Sequence, residues 1–218
     1  MGKITAAVIF NSSGKSKSDC YMKNKAIFLD RDGVITKMHY NREFGIIDTP
    51  LVVKEIEFVP GIFDFLHLAK QLGYLLVLIS NQPGVGIRKI SLKGYNQMKD
   101  YLTQKLKEQG IALDGQYYCM HHPYASILKY KKDCDDRKPK TGFLVKASKD
   151  LDIDLKKSWM IGDGIYDIIA GYNVGCKTIL VGNIIEAEYL HTLEEKLGDI
   201  KPTFLVKNLM EIKNFIRF

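Results

Sequence analysis

Ala26-Ile27-Phe28-Leu29-Asp30-Arg31-Asp32-Gly33 is the stretch that decides how this chain folds. Four apolar residues suit a short buried strand, and the run ends abruptly in two carboxylates spaced by two. At a strand end that spacing lets both acids face one crevice, where their repulsion calls for a shared proton or a cation. Further along, apolar strand-like runs alternate with helical periodicity almost to the C-terminus. Ile62, Phe65, Leu66 and Ala69 repeat at helical spacing up to Gly73, and 74–79 reads as a buried strand. Ser91 can cap a helix carrying Tyr95, Met98, Leu102 and Leu106 on one stripe, closed by Gly110. Strands are then expected over 117–120, 159–161, 178–181 and 203–206, and helices over 141–148, 165–172, 187–197 and 209–216. This repetition predicts an α/β fold, a doubly wound, mostly parallel sheet with helices on both faces.

The 218 residues are 46% hydrophobic, enough for one sizeable core. A single domain is expected over 22–218, with 1–21 as an N-terminal extension. Lys3 and the apolar run 4–10 precede a polar Asn11–Ser18 segment without a small-residue cleavage site, so export is not expected. The longest uninterrupted apolar run, 74–79, falls far short of the roughly 20 residues of a membrane-spanning helix. The net charge of +7 would draw a phosphorylated metabolite or a polyanion. The lysines are scattered over most of the expected helices, which reads as a solvated basic surface rather than a nucleic-acid footprint. Cysteines at 20, 119, 134 and 176 are too few for a disulfide scaffold and fit a reducing cytoplasm.

In open parallel sheets ligands bind beyond the carboxyl ends of the strands. Four such ends carry chemistry: Asp30-Arg31-Asp32-Gly33, then Ser80-Asn81-Gln82, then the Arg137-Lys138-Pro139-Lys140 region, then Gly162-Asp163-Gly164 with Asp167 beyond. Asp-x-Asp alone could be a solvated turn. With Asp163 from another strand end, Asp30 and Asp32 would form an oxygen-rich site suited to Mg²⁺.

As a set these residues resemble the haloacid dehalogenase-like phosphatases over most of the chain apart from its N-terminal extension. The resemblance implies a Mg²⁺-dependent phosphomonoesterase in which Asp30 is the nucleophile and Asp32 the general acid and base. Ser80, backbone N–H groups near Asn81 and the Lys138 ammonium would hold the phosphoryl oxygens, and Arg137 would grip substrate. Asp30, Asp32 and Asp163 would hold Mg²⁺, and Asp167 would orient Lys138 or its loop. Substrate choice in this superfamily is often set by an inserted cap domain. Only 50 positions separate Asp30 from Ser80, which leaves no room for a large cap. The loop 36–58 and the segment 121–140 must then shape the substrate pocket.

Within that segment, Cys119-x-His121 is followed by Cys134-x-Asp136. This loop, 119–136, is similar to the zinc loop of the D,D-heptose 1,7-bisphosphate 7-phosphatase and histidinol-phosphate phosphatase branch, where the last pair is Cys-x-Cys. Zinc accepts carboxylate oxygen, so a structural Zn²⁺ on Cys119, His121, Cys134 and Asp136 is chemically allowed; an empty polar loop is the alternative. His122 is expected at the surface and Cys176 in the core. The family's Gly-x-Gly/Ala-Arg reads Gly84-Val85-Gly86-Ile87-Arg88, with the arginine displaced by one, and Gly164 stands where the branch commonly has Lys. These departures touch substrate recognition more than phosphoryl transfer. The expected substrate is a small sugar phosphate, foremost a heptose 1,7-bisphosphate losing its 7-phosphate, with histidinol phosphate as the alternative. A non-catalytic, basic zinc- or nucleic-acid-binding protein on the same fold is the reading from another class. The oligomeric state stays open.

Overall fold

Apolar strand residues of opposite parity build two cores, one on each face of a single sheet. The computed structural model describes residues 23–41, 45–182, 195 and 197–216. Its main sheet has six parallel strands in the order β5-β4-β1-β6-β7-β8. These are β1 (Lys25–Leu29), β4 (Tyr74–Asn81), β5 (Gly115–Cys119), β6 (Trp159–Gly162), β7 (Lys177–Val181) and β8 (Phe204–Val206). The helices are α1 (Ile62–Gln71), α2 (Leu92–Glu108), α3 (Gly142–Asp150), α4 (Ile165–Asn173) and α5 (Leu209–Ile212). Ile27, Leu29, Leu76, Leu78 and Ile161 pack with residues of α1, α2 and α5, whereas Ala26, Phe28, Val77, Ile79 and Met160 pack with Leu144 and Ala147 of α3 and Ala170 of α4. Period-two alternation therefore sends neighbouring strand residues to opposite helical layers. Cys176 is buried in the second of these cores.

The strands and helices fall close to where the hydrophobic periodicity predicts them, and Ser91 caps α2 by accepting a hydrogen bond from the Gly94 N–H at 3.0 Å. Three expectations need adjusting. β4 continues to Asn81, so Ser80 is a strand residue rather than the first residue beyond it. The last helix stops at Ile212 instead of Ile216. The segment 36–58, read as a loop, contains an antiparallel pair, β2 (His39–Asn41) with β3 (Ile46–Asp48). Three-residue strands with exposed Ile46 and Ile47 carry too little alternation to be seen in sequence. The extension 1–21 lies outside the described residues, as does nearly all of the expected helix 187–197.

The chain leaves β1 towards β4 and β5 on one side, then returns to place β6, β7 and β8 on the other. This reversal beside β1 opens a crevice at the carboxyl ends of β1, β4 and β6. No helix among the described residues is long and apolar enough to cross a membrane.

Candidate active site

The crevice gathers one charged residue after another from separate strand ends. The Asp30 N–H donates to the Ile161 carbonyl at 3.0 Å, extending the β1–β6 ladder one residue past β1 and setting the Asp30 side chain beside the end of β6. Asp30, Asp163 and Asp167 each offer a carboxylate oxygen, all within 4.8 Å of one another. Two glycines make that approach possible. Gly33 lies at φ 81°, and a Cβ there would fall 2.0 Å from Asp163 Oδ2; a Cβ at Gly162 would fall 2.2 Å from the Asp167 Cβ. A side chain at either position would displace a carboxylate.

Lys138 is the cation of this group, with its side chain only 3% exposed. Its Nζ lies 3.0 Å from Asp30 Oδ1, forms an ion pair with Asp167 and donates to the Ile79 carbonyl at 2.8 Å. Burial works against the ammonium charge, but Asp167 and Asp30 outweigh it and raise the lysine pKa above its ordinary value. Burial, reinforced by repulsion from Asp30 and Asp167, pushes the Asp163 carboxyl up to about 8. Asp167 is pushed up to about 6, again chiefly by burial, with Lys138 pulling the other way. Three carboxylates facing one lysine leave unbalanced negative charge in a crevice that resists it. A divalent cation with a preference for hard oxygen donors balances that charge, so the residues fit Mg²⁺.

Asp32 is placed differently from the sequence expectation. Its carboxylate lies outside the acidic group and accepts from Arg31 Nε (2.9 Å), Arg31 Nη2 (2.8 Å), Thr36 Oγ1 (2.9 Å) and Gln82 Nε2 (2.8 Å). A buried carboxylate needs a counter-charge, and the forked guanidinium of the adjacent residue supplies it. Asp32 is therefore set apart from the clustered carboxylate oxygens of Asp30, Asp163 and Asp167. The Asn81 side chain is engaged within the protein. Its Nδ2 donates to the Lys138 carbonyl at 2.9 Å and its Oδ1 accepts the Lys138 N–H at 3.0 Å, so its amide clamps the lysine's backbone. Ser80 is buried and accepts from Gln82 Nε2 at 3.1 Å. Arg31 and Gln82 stand in the strand-end stretches quoted from the sequence, but the sequence alone assigns neither a role. The available signal was a basic residue between two acids that burial would bring together.

A second group lies on the segment after β5. Cys119, His121 and Cys134 each present a ligand atom within 4.8 Å of the others. Asp136, the expected fourth ligand, is not part of that set; its Oδ2 accepts instead from the Cys134 thiol at 3.7 Å. Burial pushes the Cys119 thiol up to about 11. Arg137 is half-buried against this loop, its Nη1 donating to the His121 carbonyl at 3.2 Å, and burial lowers its pKa. Loop 119–136 thus bears directly on the segment that delivers Lys138. Arg88, the displaced arginine, is exposed and does not line the neighbouring cleft, whereas Lys89 does.

A HAD-hydrolase-like family model matches residues 136–212. The D-glycero-β-D-manno-heptose-1,7-bisphosphate 7-phosphatase of Haemophilus influenzae is 41% identical over 154 residues, 71% of this chain and 78% of that protein. The D-glycero-α-D-manno-heptose-1,7-bisphosphate 7-phosphatase of Burkholderia mallei is 38% identical over 160 residues, 73% of this chain and 80% of that one. Among solved structures, the D,D-heptose 1,7-bisphosphate phosphatase of B. bronchiseptica, complexed with magnesium and phosphate, superposes with a TM-score of 0.69 at 23% identity, covering 88% of this chain and 97% of the other.

Proposed function

The chain belongs to the haloacid dehalogenase-like heptose-1,7-bisphosphate 7-phosphatases, and we propose that it removes the 7-phosphate of a D-glycero-D-manno-heptose 1,7-bisphosphate. The observation that carries the reading is Lys138, locked between Asp30 and Asp167 beside Asp163 at the sheet's switch point. An ammonium held there meets the phosphoryl oxygens on which transition-state charge spreads.

In this reading a carboxylate oxygen of Asp30 attacks phosphorus in line while the bond from phosphorus to the sugar oxygen breaks. For this step Asp32 turns from Arg31, takes a proton from solvent and gives it to the leaving oxygen. Asp32 then accepts a proton from the water that attacks the aspartyl phosphate, releasing inorganic phosphate and restoring Asp30. Asp167 holds the Lys138 ammonium, and Asn81 holds its backbone. Asp30 and Asp163 would hold Mg²⁺, with Asp167 alongside; when bound it supplies charge neutralisation between two anions that otherwise repel. Arg137 stands by to grip the substrate's distal charge.

Cys119, His121 and Cys134 we assign to a structural zinc, because two sulfurs and an imidazole are the donors zinc favours, with Asp136 as the remaining donor on the loop. Three free cysteines among the described residues suit a reducing cytoplasm. The test is phosphate release by the purified protein from both anomers of heptose 1,7-bisphosphate, histidinol phosphate and other sugar phosphates, with and without Mg²⁺. A preference for the heptose bisphosphate is expected. A preference for histidinol phosphate would overturn the substrate, and no turnover of any phosphomonoester would overturn the activity.

A further inference from the structure

A cleft opens between the β2–β3 hairpin and the loop after β4, bounded also by the first turns of α2. Asp48, Thr49, Gln82, Lys89, Tyr95 and Met98 are among its lining residues. Gln82 joins it to the reaction centre, because its side-chain amide donates to both Asp32 and Ser80.

Tyr95 is the anomaly in this cleft. It is 2% exposed, and its hydroxyl is the one buried side-chain polar atom without a hydrogen-bond partner among the described residues. Buried polar groups are ordinarily paired, so a lone orphan needs a reason. Packing does not provide one. The ring stands edge-on to Tyr118, with centroids 5.9 Å apart and planes at 85°, a contact that phenylalanine would make equally well. Burial raises the phenol pKa, so the group stays a hydroxyl able both to donate and to accept.

The cleft also selects by charge. Lys89 and Asp48 form an ion pair across it, from the loop to the hairpin, with side chains 46% and 25% exposed. A second phosphate arriving there would meet the Asp48 carboxylate. Uncharged hydroxyls would instead find an ammonium donor and a carboxylate acceptor, while Met98 and Ile87 offer apolar surface to the carbon chain.

We propose that this cleft holds the hydroxyl-bearing carbons of the substrate as an uncharged polyol segment, with the Lys89–Asp48 pair bonded to its hydroxyls and Tyr95 Oη, closed off from solvent in the free chain, meeting one of them once that pair parts. The inference rests on the phosphatase reading above and adds to it the residues that distinguish a sugar from a bare phosphate ester.

Wild type and Tyr95→Phe are compared by kcat/KM on heptose 1,7-bisphosphate, ribose 5-phosphate and phenyl phosphate, whose leaving group carries no further hydroxyl. The ratio of sugar to phenyl ester should fall about tenfold in the variant, mainly through KM. Thermal unfolding should show the variant as stable as wild type or more so, since only an orphan hydroxyl is lost. A hydroxyl with a purely structural role would lower all three substrates alike; that outcome, or an unchanged ratio, overturns the proposal. If ribose 5-phosphate is turned over, the heptose bisphosphate is not, and the ratio still falls, the cleft assignment stands and the heptose reading fails. If the heptose bisphosphate is the preferred substrate and the ratio does not move, the reverse holds. Wild-type preference for phenyl phosphate over every sugar ester overturns both.

Discussion

Asp163→Asn should make the metal-free protein more stable at alkaline pH while abolishing phosphatase activity. In the folded chain the Asp163 carboxyl is raised from 3.8 to about 8, chiefly by burial and then by the charges of Asp30 and Asp167. The folded state therefore keeps a proton that the unfolded state releases. Its contribution is fully present below pH 3.8 and is lost as pH rises through 8. A displacement of that size sets a ceiling of about 6 kcal/mol, reached only above pH 8. Relaxation of the neighbouring carboxylates and entry of water would reduce the realised effect to about 1–3 kcal/mol. Asparagine mimics the protonated acid at every pH. The variant should match wild type near pH 4 and exceed it near pH 8.5 by roughly 3–10 °C in Tm. Mg²⁺ should raise the wild-type Tm at pH 8.5 and close the gap, with little effect on the variant. Differential scanning fluorimetry across pH, with EDTA and then with Mg²⁺, measures all of this. An equal gain at both pH values, or an equal Mg²⁺ response in the two proteins, would refute the assignment of Asp163 to a strained cation site.

Asp30→Asn should abolish steady-state phosphate release, because an amide does not attack phosphorus, and near-wild-type turnover would end the covalent mechanism. Asp32→Asn should lower kcat by about 10²–10⁴, read in the same assay, by removing the proton carrier. Lys138→Met should destabilise the fold by about 3–5 kcal/mol in urea titration, since it leaves Asp167 and Asp30 buried without their partner; a loss under 1 kcal/mol would contradict the ion-pair geometry. Elemental analysis should find zinc in wild type, and Cys134→Ser should lose it and lower activity through misplacement of Lys138; metal-free wild type with an unaffected variant would show that the loop needs no metal.

The sequence by itself determined the layers and the location of the chemistry. Phe28, Leu66 and Leu102 sit in periodic patterns that depend only on local backbone geometry, so strand and helix faces could be read directly. The acids and the lysine were legible for a related reason: residues that follow strands in a parallel sheet converge wherever the crossovers allow. Side-chain partners were not legible. The backbone N–H groups near Asn81 read as phosphate donors, but nothing in the sequence tells that its side-chain amide clamps the backbone of Lys138, 57 residues away. Asp32 and Asp30 are two positions apart, yet one faces Arg31 and Gln82 while the other faces Lys138. Cys119 and Cys134 come together without Asp136, because two residues of spacing do not fix which way a loop side chain turns. Tyr95 counted in the sequence only as one position of an apolar stripe. Its unpaired hydroxyl became visible once the fold set it in a cleft, since whether a polar atom is satisfied depends on neighbours that only tertiary packing supplies.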